Sequence, residues 1–375
     1  MKRVLLMLNF ICFTAFIQGC STTENKEEQI ENPTNDQGEN DEEDEDEDIA
    51  DTTFQNPILS QGADPWVIQN EEGYYYTHTT GNSLELRFTE HMENLDEAEP
   101  FRIWMPPRSS DYSDDIWAPE LHYIDNKWYI YFAATHFDGN EEARDANRRM
   151  YVLENSSSSP LNYNWEFKGK VSDDTDNWAI DGTVLQLKGS NYFIWSGWRT
   201  KDQPSNSGRQ QLYIAKMTNP WTLESSRVML SEPEYDWERN GLVNEGPVIW
   251  TNPEGKVFLF YSGSGCWTDD YSIGVISLEN ENEPLNPNSW KKHEKALFMK
   301  NSENSVFGTG HNSFFKSPDG SEDWILYHAN DNSGEGCGGG RKPRIQKISW
   351  DEEGFPVLGI PKKTSVELDV PASEH

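Results

Sequence analysis

The chain has 375 residues, with 65 acidic against 31 basic side chains and a formal charge of −34. So acidic a molecule repels nucleic-acid phosphate and excludes that partner, while a neutral ligand is unaffected. The length exceeds one average domain and suits a large barrel or propeller.

Residues 1–20 read as a secretory leader, with Lys2 and Arg3 followed by an apolar run from Val4 to Ile17. That run is too short and too early for a spanning helix. The ending "IQGC" resembles a bacterial lipobox, which implies that Cys20 carries the lipid and anchors the chain to the outer membrane, facing either outward or the periplasm; ordinary cleavage beside an incidental Cys is the competing reading. Residues 21–53 follow with fifteen Asp or Glu and one Lys, a net of −14. A stretch that repels itself and has little to bury is expected to be an extended tether, spanning roughly 30 Å or more. With +2 in the leader, residues 54–375 keep −22.

From residue 62 onward, short aromatic and β-branched clusters alternate with Gly, Asn, Asp and Pro, as strands and turns do. Five units recur. Each opens on a polar residue among small ones: "GADPWV", "WAPELHY", "AIDGTVL", "NEGPVIW" and "TGHNSFF". The marked residues are Asp64, Glu120, Asp181, Glu245 and His311, at spacings of 56, 61, 64 and 66. An aromatic strand follows in each: "GYYYTHTT", "KWYIYFAAT", "NYFIWSGW", "KVFLFYSG" and "DWILYHAN". Five strand meanders of about this size predict an all-β, five-bladed propeller over residues 54–375. A β-sandwich has no reason to repeat a polar residue at every third or fourth strand. In a propeller the innermost strands surround the axis, so these residues are expected to converge on one central pocket. Carboxylates gathered there repel one another and lose hydration, which turn chemistry alone does not explain.

Cys266 and Cys337 lie in the Gly-rich stretches "SGSGCWTDD" and "GEGCGGGR". In an exported protein a disulfide between them is favoured over two free thiols. Zinc is not expected, since neither has a close second ligand.

In this order and spacing, "ADPWV", "WAPELHYIDNKWYIYFAA", "AIDGTVL", "NEGPVI", "GTGHNSFF" and "GRKPRIQKISW" resemble family 43 of the glycoside hydrolases. The resemblance implies an inverting hydrolase acting on arabinose- and xylose-containing polysaccharide of plant cell walls. It makes Asp64 the general base, Glu245 the general acid, and Asp181 the carboxylate that raises the acid's pKa and orients it. Inversion needs such a base and acid on opposite faces of the sugar. Pro65 is expected to restrain Asp64 to extended backbone.

The resemblance further implies that His311 meets an axial calcium ion or its waters, although a lone His among small residues is ordinarily a packed, hydrogen-bonded group. Arg341 and Glu120 are expected at the substrate. Of Trp66, Trp117, Trp198 and Trp267, only Trp117 is expected to face a sugar, the others filling space between blades. About 25 residues follow "RIQKISW", so no C-terminal sandwich of the kind many family xylosidases carry is expected. The reading is therefore a monomeric α-L-arabinofuranosidase on arabinan or arabinoxylan. Endo-α-1,5-arabinanase, β-xylosidase and a non-catalytic glycan-binding propeller are the alternatives.

Overall fold

The computed structural model describes residues 52–137, 139–201 and 209–373. The leader, Cys20 and nearly all of the tether lie outside the described residues.

The aromatic runs become strands buried along most of their length, because each blade is covered by a neighbour on both faces. "KWYIYFAAT" at Lys127–Thr135 and "DWILYHAN" at Asp323–Asn330 show it most fully. Blade I runs from Trp66–Gln69 to Phe101–Trp104, and blade II from Asp114–Ile124 to Glu166–Val171. Blade III starts at Ala179–Leu187 and adds a fifth strand, so that its outer edge is shared by Thr222–Leu223 and Val228–Ser231. Blade IV runs from Asn244–Thr251 to Trp290–Lys292, and blade V from Phe307–Lys316 to Pro356–Val357. All five sheets are antiparallel meanders, as the repeat requires. The one α-helix among the described residues is the short Glu141–Ala146 in a blade II loop.

The core consists of five apolar clusters, one at each junction between blades. Aromatic pairs join the blades across several of them. Tyr75 meets Trp128 at 5.3 Å, Tyr131 meets Phe193 at 5.4 Å, Phe260 meets Phe314 at 4.5 Å, and Tyr74 meets Phe315 at 5.4 Å.

Each blade is one contiguous stretch, so the ring is closed by the segment before blade I. Asn56 Nδ2 donates to the Ile345 carbonyl at 2.8 Å, and the Ile345 amide donates back to Asn56 Oδ1 at 2.9 Å. Thr53–Phe54 pairs with Leu368–Asp369, which puts Thr53, assigned by charge to the tether, inside the fold.

The inner strands share one local feature that decides the site. Each blade has a left-handed residue at the equivalent place where its inner strand begins: Asp64 (φ 55°), which is not extended as Pro65 led one to expect, Ala118 (42°), Asp181 (54°), Gly246 (55°) and His311 (46°); blade II adds Asp115 (51°) and blade V Gly308 (57°). In blades II to V it sits in a β-bulge that shifts the register. Bulges of this kind re-aim side chains and recur beside functional sites.

Candidate active site

A cavity of about 350 Å³ opens at the bulged end of the inner strands. Asp64, Asp181, Glu245, His311 and Arg341 all line it, as the sequence pattern expects.

Asp64 is held on every side. Thr79 Oγ1 donates to its Oδ2 at 2.7 Å, and Arg341 Nη1 donates to its Oδ1 at 2.7 Å. Its amide donates to Nδ1 of His328 at 3.1 Å, so that nitrogen carries no proton. Burial keeps the His328 imidazole neutral, its pKa well below the ordinary value. Burial would raise the Asp64 pKa. The Arg341 guanidinium, His311 Nδ1 at 3.4 Å and the Thr79 hydroxyl outweigh that effect and hold it far below the usual carboxylate range. Because His328 is neutral, Arg341 is the charge that matters. Asp64 is therefore ionised throughout the neutral range.

Glu245 behaves oppositely. Burial pushes its pKa up to about 7; the Asp64 charge adds to the rise, while the Tyr271 hydroxyl and Arg341 oppose it. Asp181 is also raised to about 7, by burial first, with the charges of Glu245 and Asp64 outweighing part of what His311 and the Gly246 amide take back. Burial is the largest cause of the Glu245 rise and Asp64 adds to it; Asp181 and Glu245 repel each other as a buried pair, as the expectation for Asp181 requires. The orienting half of the expectation has a direct basis. The amide of Gly246, the residue after Glu245, donates to Asp181 Oδ2 at 3.0 Å and ties down the bulge that carries Glu245.

Glu120 does not reach the cavity, contrary to expectation. The left-handed position of blade II is Ala118, so Glu120 lies two residues further along the strand, buried at 2% exposure. Its Oε2 lies 2.9 Å from Nε2 of His122. Burial drives its pKa well above normal, against a hydrogen bond from Thr183 and with Asp181 reinforcing it, so Glu120 is a protonated structural group.

The aromatic walls are wider than expected. Trp117 is there, with the Arg148 guanidinium 3.3 Å from its ring centroid. Trp178, Trp198 and Trp267 line the cavity too, Trp178 and Trp198 stacking at 5.0 Å and 10°. Trp66 does pack between blades, donating from Nε1 to the Leu121 carbonyl at 2.9 Å. Cys266 and Cys337 are bonded, Cα to Cα 5.3 Å, and form part of the cavity wall. Sequence reasoning missed Thr79, His328 and Trp178; Thr79 and His328 lie on the second strands or just beyond them, where no motif marks them.

His311 turns Nδ1 towards Asp64 Oδ1 and, at 4.0 Å, Asp181 Oδ2. Among the described residues no three acidic, His or Cys side chains form a metal-ligand set. Calcium prefers six to eight oxygens, so these residues do not make a protein cage for it.

A family model described as "Glycosyl hydrolases family 43" matches residues 54–356. The chain belongs to glycosyl hydrolase family 43. It is 36% identical over 318 residues to the "Extracellular exo-alpha-(1->5)-L-arabinofuranosidase" of Streptomyces avermitilis, covering 82% of this chain and 64% of that protein. To the "Alpha-L-arabinofuranosidase 43" of Humicola insolens it is 34% identical, over 85% and 66% respectively. This family 43 chain therefore spans just under two-thirds of the length of those relatives. Among solved structures, the alpha-L-arabinofuranosidase from Lactobacillus brevis superposes with a TM-score of 0.77 at 34% identity, over 84% of this chain and 98% of that one.

Proposed function

We propose that this family 43 protein is an inverting α-L-arabinofuranosidase that releases terminal arabinose from plant arabinan or arabinoxylan. One observation carries the reading: a single buried cavity holds an ionised carboxylate, Asp64, together with a carboxyl that keeps its proton up to about pH 7, Glu245. Those are the two states a glycosidase needs of its paired carboxyls, and the resemblance to family 43 supplies the inverting course. The names of the relatives supply the sugar.

In this reaction a water molecule sits against Asp64. As its oxygen bonds to the anomeric carbon from one face, its proton passes to Asp64. The bond from that carbon to the glycosidic oxygen breaks on the other face, and Glu245 gives its proton to the departing oxygen. Arg341 keeps Asp64 ionised between turnovers, and Asp181 fixes the backbone that aims Glu245.

We place the domain outside the cell, as the relatives' names say of them, on a lipid at Cys20, acting as a monomer. A calcium ion at the axis is retained only as an ion held by water beside His311, and no step depends on it.

The test is hydrolysis of 4-nitrophenyl α-L-arabinofuranoside and β-D-xylopyranoside by residues 54–375, with Glu245→Gln as control. Arabinofuranoside cleavage lost in the variant supports the proposal. Cleavage of the xyloside alone, or of internal bonds in linear arabinan alone, replaces it with a xylosidase or an endo-arabinanase.

A further inference from the structure

Trp267 is the most exposed aromatic of the cavity wall, with 53% of its surface open, and nothing in the proposed reaction uses it. A bare indole face at the edge of a pocket offers a rigid apolar surface with a polar edge, of the kind that ligands rest on.

Its surroundings are built to present it. A Cβ on Gly241 would lie 2.8 Å from Cζ2 of Trp267, and one on Gly265 would lie 2.5 Å from the same atom. Both glycines therefore let the backbone lie flat against one part of the ring, where any side chain would lift it. At a third glycine, Gly336 (φ 61°), an added Cβ would only touch the Trp267 backbone, 3.5 Å from its carbonyl oxygen. The residue just before the indole, Cys266, is bonded across to Cys337 on blade V. Two glycines and a disulfide thus fix an aromatic ring whose remaining surface is bare.

Depth says what covers it. Asp64, Asp181 and Glu245 are buried at 9, 3 and 7% exposure, so the sugar being released lies at the floor. A group at the open rim meets the rest of the chain. We propose that Trp267 is a specificity-determining platform on which the sugar beyond the scissile bond, the leaving-group residue of a pentose oligosaccharide, lays its C–H face. The inference rests on the reading of the floor as a hydrolytic site.

The experiment compares kcat/KM for α-1,5-arabinobiose, which has a leaving sugar, with that for α-L-arabinofuranosyl fluoride, which has none. For Trp267→Ala the disaccharide value should fall roughly tenfold, as truncating a Trp that anchors a ligand does, while the fluoride value stays within about twofold. Trp267→Phe should recover part of the loss. Gly265→Ala, which keeps the indole but displaces it, should reproduce the same split in smaller measure, with an unchanged melting temperature for Trp267→Ala excluding misfolding. Equal losses on both substrates, or no loss on the disaccharide, overturn the platform. If the wild-type protein cleaves neither substrate, the arabinosidase reading has failed. Calorimetric binding of arabinotriose and xylotriose to wild type and Trp267→Ala then decides the platform: a roughly tenfold weaker variant sustains it for either sugar, and equal affinities overturn it.

Discussion

Replacing Glu245 by Gln should make the protein more stable above neutral pH and no more stable in acid. The folded state holds this carboxyl with a pKa of about 7 against an ordinary 4.5, chiefly because burial disfavours its charge. Below pH 4 both folded and unfolded chains carry the proton, and the site contributes no pH dependence. As pH rises from about 4.5 to 7 the unfolded chain ionises first, so stability falls, and above 7 the loss levels off. A rise of 2.5 units at 1.36 kcal/mol each costs about 3 kcal/mol at pH 8. Gln has nearly the same shape and no charge, so it should recover most of that, roughly 5 °C in melting temperature for a domain of this size. The assay is thermal or urea unfolding of wild type and variant at pH 4 and pH 8. A gain of the same size at both values would mean that Glu245 carries no raised pKa in the folded protein, and the assignment of the acid would lose its physical basis.

The same groups shape the pH–rate profile: kcat/KM should decline as pH rises through about 7, where the buried pair Glu245 and Asp181 loses its protons as a coupled set. In Arg341→Met the acid limb should move up by about 1–3 pH units, because Asp64 loses its guanidinium; an unmoved limb would show that Arg341 does not hold the base ionised. Removing the disulfide as Cys266→Ser with Cys337→Ser opens a loop of 71 residues, which chain entropy values at up to about 4 kcal/mol. Unfolding in urea should show a loss of about 2–4 kcal/mol, and a loss under about 0.5 would mean that the loop is held by its packing alone.

The propeller was legible because its strands are fully buried on both faces, so each blade shows a continuous aromatic run bounded by turn residues. Four of the five marked polar residues reach the cavity for the same reason: the repeat is also the geometry. Blade II broke the pattern. There the conspicuous residue, Glu120, is not the one at the bulge, and Ala118 offers no side chain to notice. Trp267 was illegible for another cause. Its place at the rim depends on Gly241 lying under the ring and on the bond from Cys266 to Cys337 of the next blade, contacts that no local motif records.

Ala118 also shows why the left-handed position is kept where its side chain does nothing. An L-residue other than Gly, Asn or Asp adopts that conformation at a cost of about 1–2 kcal/mol. The return is in the backbone: the Ala118 amide donates to Thr79 Oγ1 at 2.8 Å, and that hydroxyl in turn donates to Asp64 Oδ2 at 2.7 Å. A hydroxyl has one proton, so a donor from Ala118 leaves Thr79 free to point its own at the carboxylate. The Thr79 amide meanwhile donates to the Ala63 carbonyl at 2.9 Å, fixing the residue before Asp64. Thr79→Val keeps the volume and removes both side-chain bonds. A lost hydrogen bond to a charged group costs about 1.5–3 kcal/mol, so kcat should fall roughly 10- to 100-fold. Thr79→Ser should keep nearly wild-type kcat, and Ala118→Gly should leave kcat alone because the amide remains. Equal kcat in Thr79→Val and wild type would mean that Arg341 aims Asp64 by itself, and the strain at Ala118 would then need another explanation.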